Sequence, residues 1–92
     1  MSLKFRWGAG KSLSNLAKHG VSFSEATTAF YDPLSLTIPD PDHSEGETRF
    51  VLIGVSVRER TLVVVHTEEG DNVRIVSARR ATRAERKAYE EG

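Results

Sequence analysis

Five arginines concentrate in the segment from Arg74 to Arg86, which reads RIVSARRATRAER. The chain holds 13 Lys and Arg against 13 Asp and Glu, so this local concentration does not follow from a basic composition. A guanidinium group offers a planar fork of donors to phosphate oxygens, and it stays charged at physiological pH. The segment is therefore a candidate anion site, with nucleic acid the first ligand to consider. The alternative is a solvated helix face whose arginines pair with Glu85 and Glu90.

The basic groups lie mainly at the two ends of the chain. Residues 1–30 carry four basic groups against one acid, and residues 73–92 carry six against three. The middle, residues 31–72, carries three basic groups against nine acids. If the two ends meet in the folded chain, they form a positive face on a protein without net charge.

One histidine lies close to this segment in the predicted sheet. His66 alternates with Leu62 and Val64 on the most apolar strand, and the predicted hairpin places it roughly opposite Val73 or Arg74. A packed core histidine and a catalytic histidine both fit this pattern.

RNA can be cleaved without a metal when a base removes the 2′-hydroxyl proton and the 2′-oxygen attacks the neighbouring phosphorus. Arginines can stabilise the added negative charge, and a histidine can transfer the protons. His66, Arg74 and Arg79 form the candidate set for such chemistry. Their spacing does not distinguish a ribonuclease from a passive anion-binding patch.

A cation site is a further possibility. Asp40, Asp42 and His43 belong to an acidic loop whose oxygen ligands would suit calcium or magnesium. The loop lacks the order of an EF-hand, so a solvated loop, or a docking segment for a basic partner, competes with this interpretation. The chain has no cysteine, which excludes disulfides and thiolate chemistry.

The length and composition predict one α+β domain over residues 1–92, whose first three and last two residues look vector-derived. The chain has no long apolar run, which predicts a cytoplasmic protein. The architecture we expect is two N-terminal helices, an antiparallel meander and a C-terminal helix. The predicted elements are a strand over Leu3–Trp7, a helix over Lys11–His19 ended by Gly20, a helix capped by Ser22 or Ser24 and stopped by Asp32-Pro33, strands over Leu34–Ile38, Arg49–Val57, Thr61–Thr67 and Val73–Ala78, and a helix from Thr82 to about Tyr89.

A series of motifs runs in order along nearly the whole chain. They are Lys18-His19-Gly20-Val21-Ser22-Phe23, Phe30 with Asp32-Pro33, Asp42-His43-Ser44 with Glu47 and Arg49, Ile53-Gly54, Leu62-Val63-Val64-Val65, Arg74-Ile75-Val76-Ser77-Ala78-Arg79, and Ala81-Thr82 with Glu85. Together these motifs resemble the BrnT toxin family, the DUF497 domain. The similarity extends from Phe5 to Glu90 and departs from the usual pattern at Gly8, Glu59, His66 and Glu69, where aspartate, glycine, tyrosine and arginine are common.

This resemblance implies a RelE-like fold and a ribonuclease toxin of a type II toxin–antitoxin pair. It also implies a BrnA-like antitoxin with a ribbon-helix-helix part, which neutralises the toxin and joins it in repressing their operon. Operator DNA would then be contacted only through the antitoxin.

The leading hypothesis is a metal-independent endoribonuclease that cleaves mRNA and needs no cofactor. In this hypothesis Arg74 and Arg79 hold the scissile phosphate and His66 acts as acid or base. Lys18, Arg80 and Arg83 would follow the RNA backbone. The rival hypothesis is a non-catalytic module that binds the antitoxin as a co-repressor, with His66 packed in the core.

Overall fold

The computed structural model describes residues 2–40 and 48–92. The acidic segment with Asp42 and His43 therefore lies outside the described residues. The elements are β1 (Lys4–Arg6), α1 (Ala9–His19), α2 (Phe23–Ala29), β2 (Leu36–Pro39), β3 (Arg49–Val55), β4 (Thr61–Glu69), β5 (Asn72–Arg80) and α3 (Arg83–Glu91).

The five strands form one sheet in the order β1-β5-β4-β3-β2. Strands β2, β3, β4 and β5 pair with one another in antiparallel fashion, in chain order. This meander, which follows two N-terminal helices and precedes a C-terminal helix, confirms the predicted α+β class. Strand β1 instead pairs with β5 in parallel, and this pairing sets Arg6 beside Arg74. The two basic ends of the chain therefore do meet.

The two faces of the sheet have different coverings. Side chains alternate along a strand, so Leu62, Val64 and His66 of β4 point to one face and Val63 and Thr67 to the other. The first face carries the hydrophobic core together with residues of α1, α2 and the segment between them, and we call it the α1/α2 face. The second is the α3 face, because α3 packs against its far end. Apolar side chains of β4 are buried on both faces, as the unbroken run of residues 62–65 predicts.

A short turn decides the register between β4 and β5 as far as His66, and the register shifts by one residue between His66 and Val65. The turn consists of Gly70 and Asp71, and Gly70 has a φ of 60°, which favours glycine. Glu69 consequently pairs with Asn72, and His66 pairs with Ile75. The expectation that His66 lies opposite Val73 or Arg74 was wrong, because it assumed a turn centred closer to residue 70.

The helix ends follow the predicted capping chemistry. Gly20 adopts a φ of 70° after α1 and donates its N–H to the carbonyl of Leu16 at 2.8 Å. The Ser22 hydroxyl accepts the Glu25 N–H at 3.0 Å and caps α2, which decides between Ser22 and Ser24. Thr82 forms a complete capping box with Glu85 at the start of α3.

A glycine allows α2 to pack closely against β3. A Cβ atom at Gly54 would lie 2.7 Å from the carbonyl oxygen of Ala29, at the last residue of α2. Only glycine permits this approach of the two backbones.

A buried asparagine extends the sheet beyond the end of β1. Strand β1 pairs only with residues Asn72 to Arg74, so Ala78 lies further along β5. There the Asn15 side chain donates to the Ala78 carbonyl at 2.8 Å and accepts the Ala78 N–H at 3.2 Å. It also donates to the Val21 carbonyl at 2.9 Å, so the amide of α1 takes the place of a strand.

An ion pair joins α2 to the β3–β4 turn. The buried Glu25 carboxylate accepts hydrogen bonds from Arg60 Nε at 2.9 Å and from the Ser56 hydroxyl at 2.7 Å. The hydrogen bond from Arg60 holds the pKa of Glu25 below its usual value. In the same turn Glu59 has a φ of 62°, a left-handed conformation that is unfavourable for a residue with a Cβ atom.

We expect Asn15→Ala to lower the free energy of unfolding by about 3 kcal/mol, because it leaves buried backbone groups of Ala78 without their partner. Urea denaturation measures the loss. Ser14→Ala, an exposed change on the same helix, should leave stability unaltered. A loss at position 15 of less than about 1 kcal/mol would contradict the strand-like role of the side chain.

We expect Glu59→Gly to raise stability by up to about 1 kcal/mol, because glycine adopts the left-handed conformation without strain. Thermal denaturation of the two proteins provides the comparison. Arg58→Gly, one residue earlier and without a positive φ, is the matched control and should not stabilise. Equal effects at the two positions would show that backbone strain at Glu59 is absent.

Candidate functional site

Arginines from three strands form a row on the α3 face. Arg6 pairs with Arg74, Arg74 pairs with Thr67, and Thr67 pairs with Arg49. Paired residues project from the same face, and neighbouring strands lie about 4.8 Å apart, so the row crosses roughly 14 Å of sheet. We call these four residues the arginine row. It lies near the β4–β5 turn and collects three arginines on one face, which makes it a candidate anion site.

His66 lies on the other face and is fully buried, with 0 % of its surface exposed. Its ring packs between Phe30, at a centroid distance of 4.7 Å, and Phe50, at 5.9 Å. Its Nε2 is 2.7 Å from the Glu68 carboxylate, and its Nδ1 is 3.4 Å from the Val64 carbonyl. Both neighbours are acceptor oxygens, and the shorter contact has the geometry of an Nε2–H group that donates to Glu68.

The sheet therefore separates His66 from Arg74. His66 projects to the α1/α2 face, whereas Arg74, paired with Thr67, projects to the α3 face. A phosphate bound by Arg74 on its own face cannot also contact the imidazole of His66. The structure does not bring these two predicted residues together.

Arg79 lies on the α3 face but away from Arg74. Its partner Val63 is four residues from Thr67, a distance of about 13 Å along β4. Its guanidinium donates to both carboxylate oxygens of Glu85, at 2.7 and 2.8 Å. Glu85 also caps α3, so Arg79 ties the start of that helix to the sheet. For Arg79, the structure therefore agrees with the alternative interpretation of the arginine segment, in which its arginines pair with Glu85.

The three predicted RNA-binding residues lie apart from the arginine row, two of them at the opposite end of β5 and one on α1. Arg80 is exposed at the end of β5, and Arg83 is exposed at the start of α3. Lys18 is exposed on α1 and, with Val76, lines a cleft of about 200 Å³ beside β5. Six residues of strand separate Arg74 from Arg80, which amounts to roughly 20 Å. The single arginine cluster of the sequence is therefore two basic regions in the fold.

Polar contacts hold α3 at both ends. The Tyr89 hydroxyl donates to the Asp32 carboxylate, which also accepts the backbone N–H groups of Leu34 and Val55. The hydrogen bond to Asp32 raises the pKa of Tyr89 to about 12. No residue of α3 is fully buried, so these contacts, together with Arg79–Glu85, position the helix.

A cleft of about 360 Å³ opens beside the arginine row. Its lining includes Arg6, Trp7, Thr67, Glu69 and Arg74. Pockets of about 300–1,000 Å³ are typical of small-ligand sites.

The sequence interpretation missed Arg6 and Arg49 as members of this site. The signal for Arg49 was the alternation of strands β3 to β5, which puts residues 49, 67 and 74 on one face. No sequence signal places Arg6 there, because it depends on the parallel pairing of β1 with β5.

The described part of the chain contains neither a candidate metal site nor a candidate membrane-spanning helix. Among residues 2–40 and 48–92, no group of three His, Cys, Asp or Glu side chains could hold a metal ion. The predicted cation set of Asp40, Asp42 and His43 reaches into the segment outside those residues. Within the same ranges no helix has the length and apolar character needed to span a membrane.

Comparisons with known proteins point to one family. The model of the family described as "Ribonuclease toxin, BrnT, of type II toxin-antitoxin system" matches residues 7–85. The crystal structure of the Brucella abortus ribonuclease toxin BrnT superposes with a TM-score of 0.68 at 21% sequence identity, covering 89% of this chain and 100% of that one. The comparison with curated proteins finds no match.

We expect the Arg79–Glu85 pair to make stability depend on pH below 5. The hydrogen bonds from Arg79 lower the pKa of Glu85 to about 2, from 4.5. Stability from a depressed carboxyl pKa is complete above the unfolded value and is lost as pH falls through the folded one. Glu85→Gln should therefore cost about 1 kcal/mol at pH 7 and almost nothing near pH 2, since both side chains are partly solvated.

Chemical denaturation across that pH range measures the difference. Glu90→Gln, an exposed change on the same helix, serves as the charge-matched control. A difference between wild type and Glu85→Gln that persists unchanged at pH 2 would contradict the ion pair.

Proposed function

Since the chain belongs to the BrnT family of ribonuclease toxins from type II toxin–antitoxin systems, we propose that it is a RelE-like endoribonuclease that cleaves mRNA and so inhibits translation in the cytoplasm. The observation that supports this activity is the arginine row on the α3 face. Its arginines belong to strands of one hydrogen-bonded sheet, which fixes the relative positions of their backbones and the face from which they project.

The proposed reaction begins when the 2′-hydroxyl of one nucleotide gives its proton to solvent water and its oxygen attacks the adjacent phosphorus. The bond from phosphorus to the 5′-oxygen of the next nucleotide breaks, a 2′,3′-cyclic phosphate remains, and the leaving 5′-oxygen takes a proton from solvent. Negative charge grows on the phosphoryl oxygens in the transition state, and donors placed in advance stabilise it without reorganisation. We assign this role to Arg74, with Arg6 on the adjacent strand β1 and Arg49 two strands away on β3. The row supplies the positive charge that such a reaction needs, so the proposed mechanism uses no metal.

The other predicted residues receive secondary roles in this proposal. Arg80 and Arg83 at the far end of β5, and Lys18 on α1, would bind the RNA backbone, because phosphate contacts need only accessible positive charge. Arg79 would contribute to the site through its hold on Glu85 and α3. His66 would support the sheet from the opposite face, beneath the arginine row.

We propose a BrnA-like ribbon-helix-helix antitoxin as the partner. An acidic segment of that protein would be attracted to the arginine row and would exclude RNA from it. Contact with operator DNA would be made by the antitoxin, with the toxin as co-repressor.

A specific observation favours a second candidate function. His66 is buried in the core and Arg79 is bound to Glu85, so two of the three predicted catalytic residues have contacts that give them a structural role. A protein of this kind could act only as a binding module that completes the repressor complex with its antitoxin.

Cleavage of RNA in EDTA separates the two functions. The wild-type protein should cut a single-stranded RNA, and Arg74→Ala should reduce the rate by about 100-fold or more, the usual cost of removing one transition-state donor. Lys87→Ala, an exposed cation on α3, should cut at the wild-type rate.

The unfolding midpoint of each variant checks that the fold is retained. Intact RNA with the wild-type protein would support the binding module and overturn the ribonuclease. Undiminished cleavage by Arg74→Ala would remove the arginine row from the mechanism.

A further inference from the structure

We propose that the cleft beside the arginine row binds one unpaired guanosine of the RNA and gives the toxin a base preference. This inference rests on the proposed function for its ligand class. It adds a recognition site formed by Trp7, Glu69 and Asn72 together with Arg6. Of these residues, only Arg6 also takes part in the proposed chemistry.

The cleft joins three chain segments at the β4–β5 turn. Glu69 and Asn72 are partners in the last rung before the turn, and Lys4 of β1 pairs with Asn72. By alternation, these side chains project to the same face as Arg74 and Thr67. The cleft therefore continues the arginine row toward the tip of the hairpin, where a nucleotide next to the bound phosphate would lie.

Trp7 supplies an aromatic surface at the edge of this cleft. Its ring packs nearly perpendicular to the buried Phe23, with centroids 6.0 Å apart and an interplanar angle of 85°. The same ring remains 36% exposed and lines the cleft. An indole that is anchored on one side and open on the other can stack with a base at little cost in conformational freedom.

The charges of the lining suit a nucleotide better than a phosphate alone. Arg6 and Arg74 are neighbours on paired strands and both line the cleft, so their positive charges on this side of it attract an anionic group. Glu69, by contrast, would repel a bare phosphate. A ligand with an anionic part and a hydrogen-bond-donating part satisfies both groups.

The carboxylate of Glu69 selects among the four bases. A carboxylate accepts hydrogen bonds and cannot donate them when ionised. Guanine presents two adjacent donors, N1–H and the N2 amino group, that match two carboxylate oxygens. Adenine, cytosine and uracil present only one donor group on the same edge, so they leave one oxygen without a partner. The Asn72 amide, which both donates and accepts, can bind a further edge atom or the ribose.

Trp7 is the sole tryptophan of the chain, so its fluorescence reports directly on this cleft. We suggest titrating the protein with tetranucleotides UUGU, UUAU, UUCU and UUUU that carry 2′-O-methyl groups. These groups block attack by the 2′-oxygen, so binding is measured without cleavage. The guanosine oligomer should quench Trp7 with an affinity at least tenfold higher than that of the other three.

Glu69→Gln tests the assignment of the carboxylate. The change preserves size and should bring UUGU to within about twofold of UUAU, while binding to UUAU is retained because stacking and phosphate contacts remain. Glu90→Gln, equally exposed and remote on α3, is the charge-matched control and should keep the tenfold preference.

The outcomes separate this inference from the proposed function. Equal quenching by all four oligomers, or a guanosine preference that survives in Glu69→Gln, would overturn the base assignment. Absence of any quenching would overturn the cleft as a nucleotide site. Selective binding of the guanosine oligomer without cleavage of unmodified RNA would support the base preference and contradict the ribonuclease activity. Cleavage of unmodified RNA without any base preference in binding would support the ribonuclease activity and contradict the base preference.

Discussion

The alternation of side chains along β4 is the constraint on which the rest of the structure depends. Because β4 is central and covered on both faces, successive residues must point to opposite sides of the sheet. His66 consequently enters the hydrophobic core, and Thr67 places its partners Arg74 and Arg49 on the α3 face. A shift of the register by one residue would exchange these positions and put arginine into the core, so burial of the apolar residues also determines where the cations lie.

The arginines of this small domain serve two purposes that composition alone does not separate. Arg60 and Arg79 are bound to Glu25 and Glu85, and each joins a helix N-terminus to the sheet. Such charge-assisted hydrogen bonds orient the elements where little apolar area is available. Arg6 and Arg74 line a cleft on the α3 face. The arginines therefore contribute both to the placement of the helices and to a candidate anion site.

The family membership identifies the class of protein, whereas the geometry indicates where on the molecule a phosphate could bind. The match to the BrnT ribonuclease toxins establishes the class, and the similar Brucella abortus structure shows the shared fold. The position of the arginine row supports a phosphate site on the α3 face. With His66 held between Phe30 and Phe50, any proton transfer at that site would have to come from groups on the α3 face itself.

Much of the local structure could be predicted from the sequence, because local chemistry decides it. Helix ends at Gly20 and Thr82, the buried run of β4 and the antiparallel meander all follow from capping, periodicity and turn residues. The parallel pairing of β1 with β5, the partner of Arg79 and the exact register at His66 could not, since each joins elements whose relative positions local sequence does not encode. The sequence by itself determined which residues form strands and helices and where the cations occur along the chain. Only the tertiary structure decided which cations meet, because the parallel pairing of β1 with β5 and the β4–β5 ladder, whose register shifts between Val65 and His66, assign the side chains to their faces.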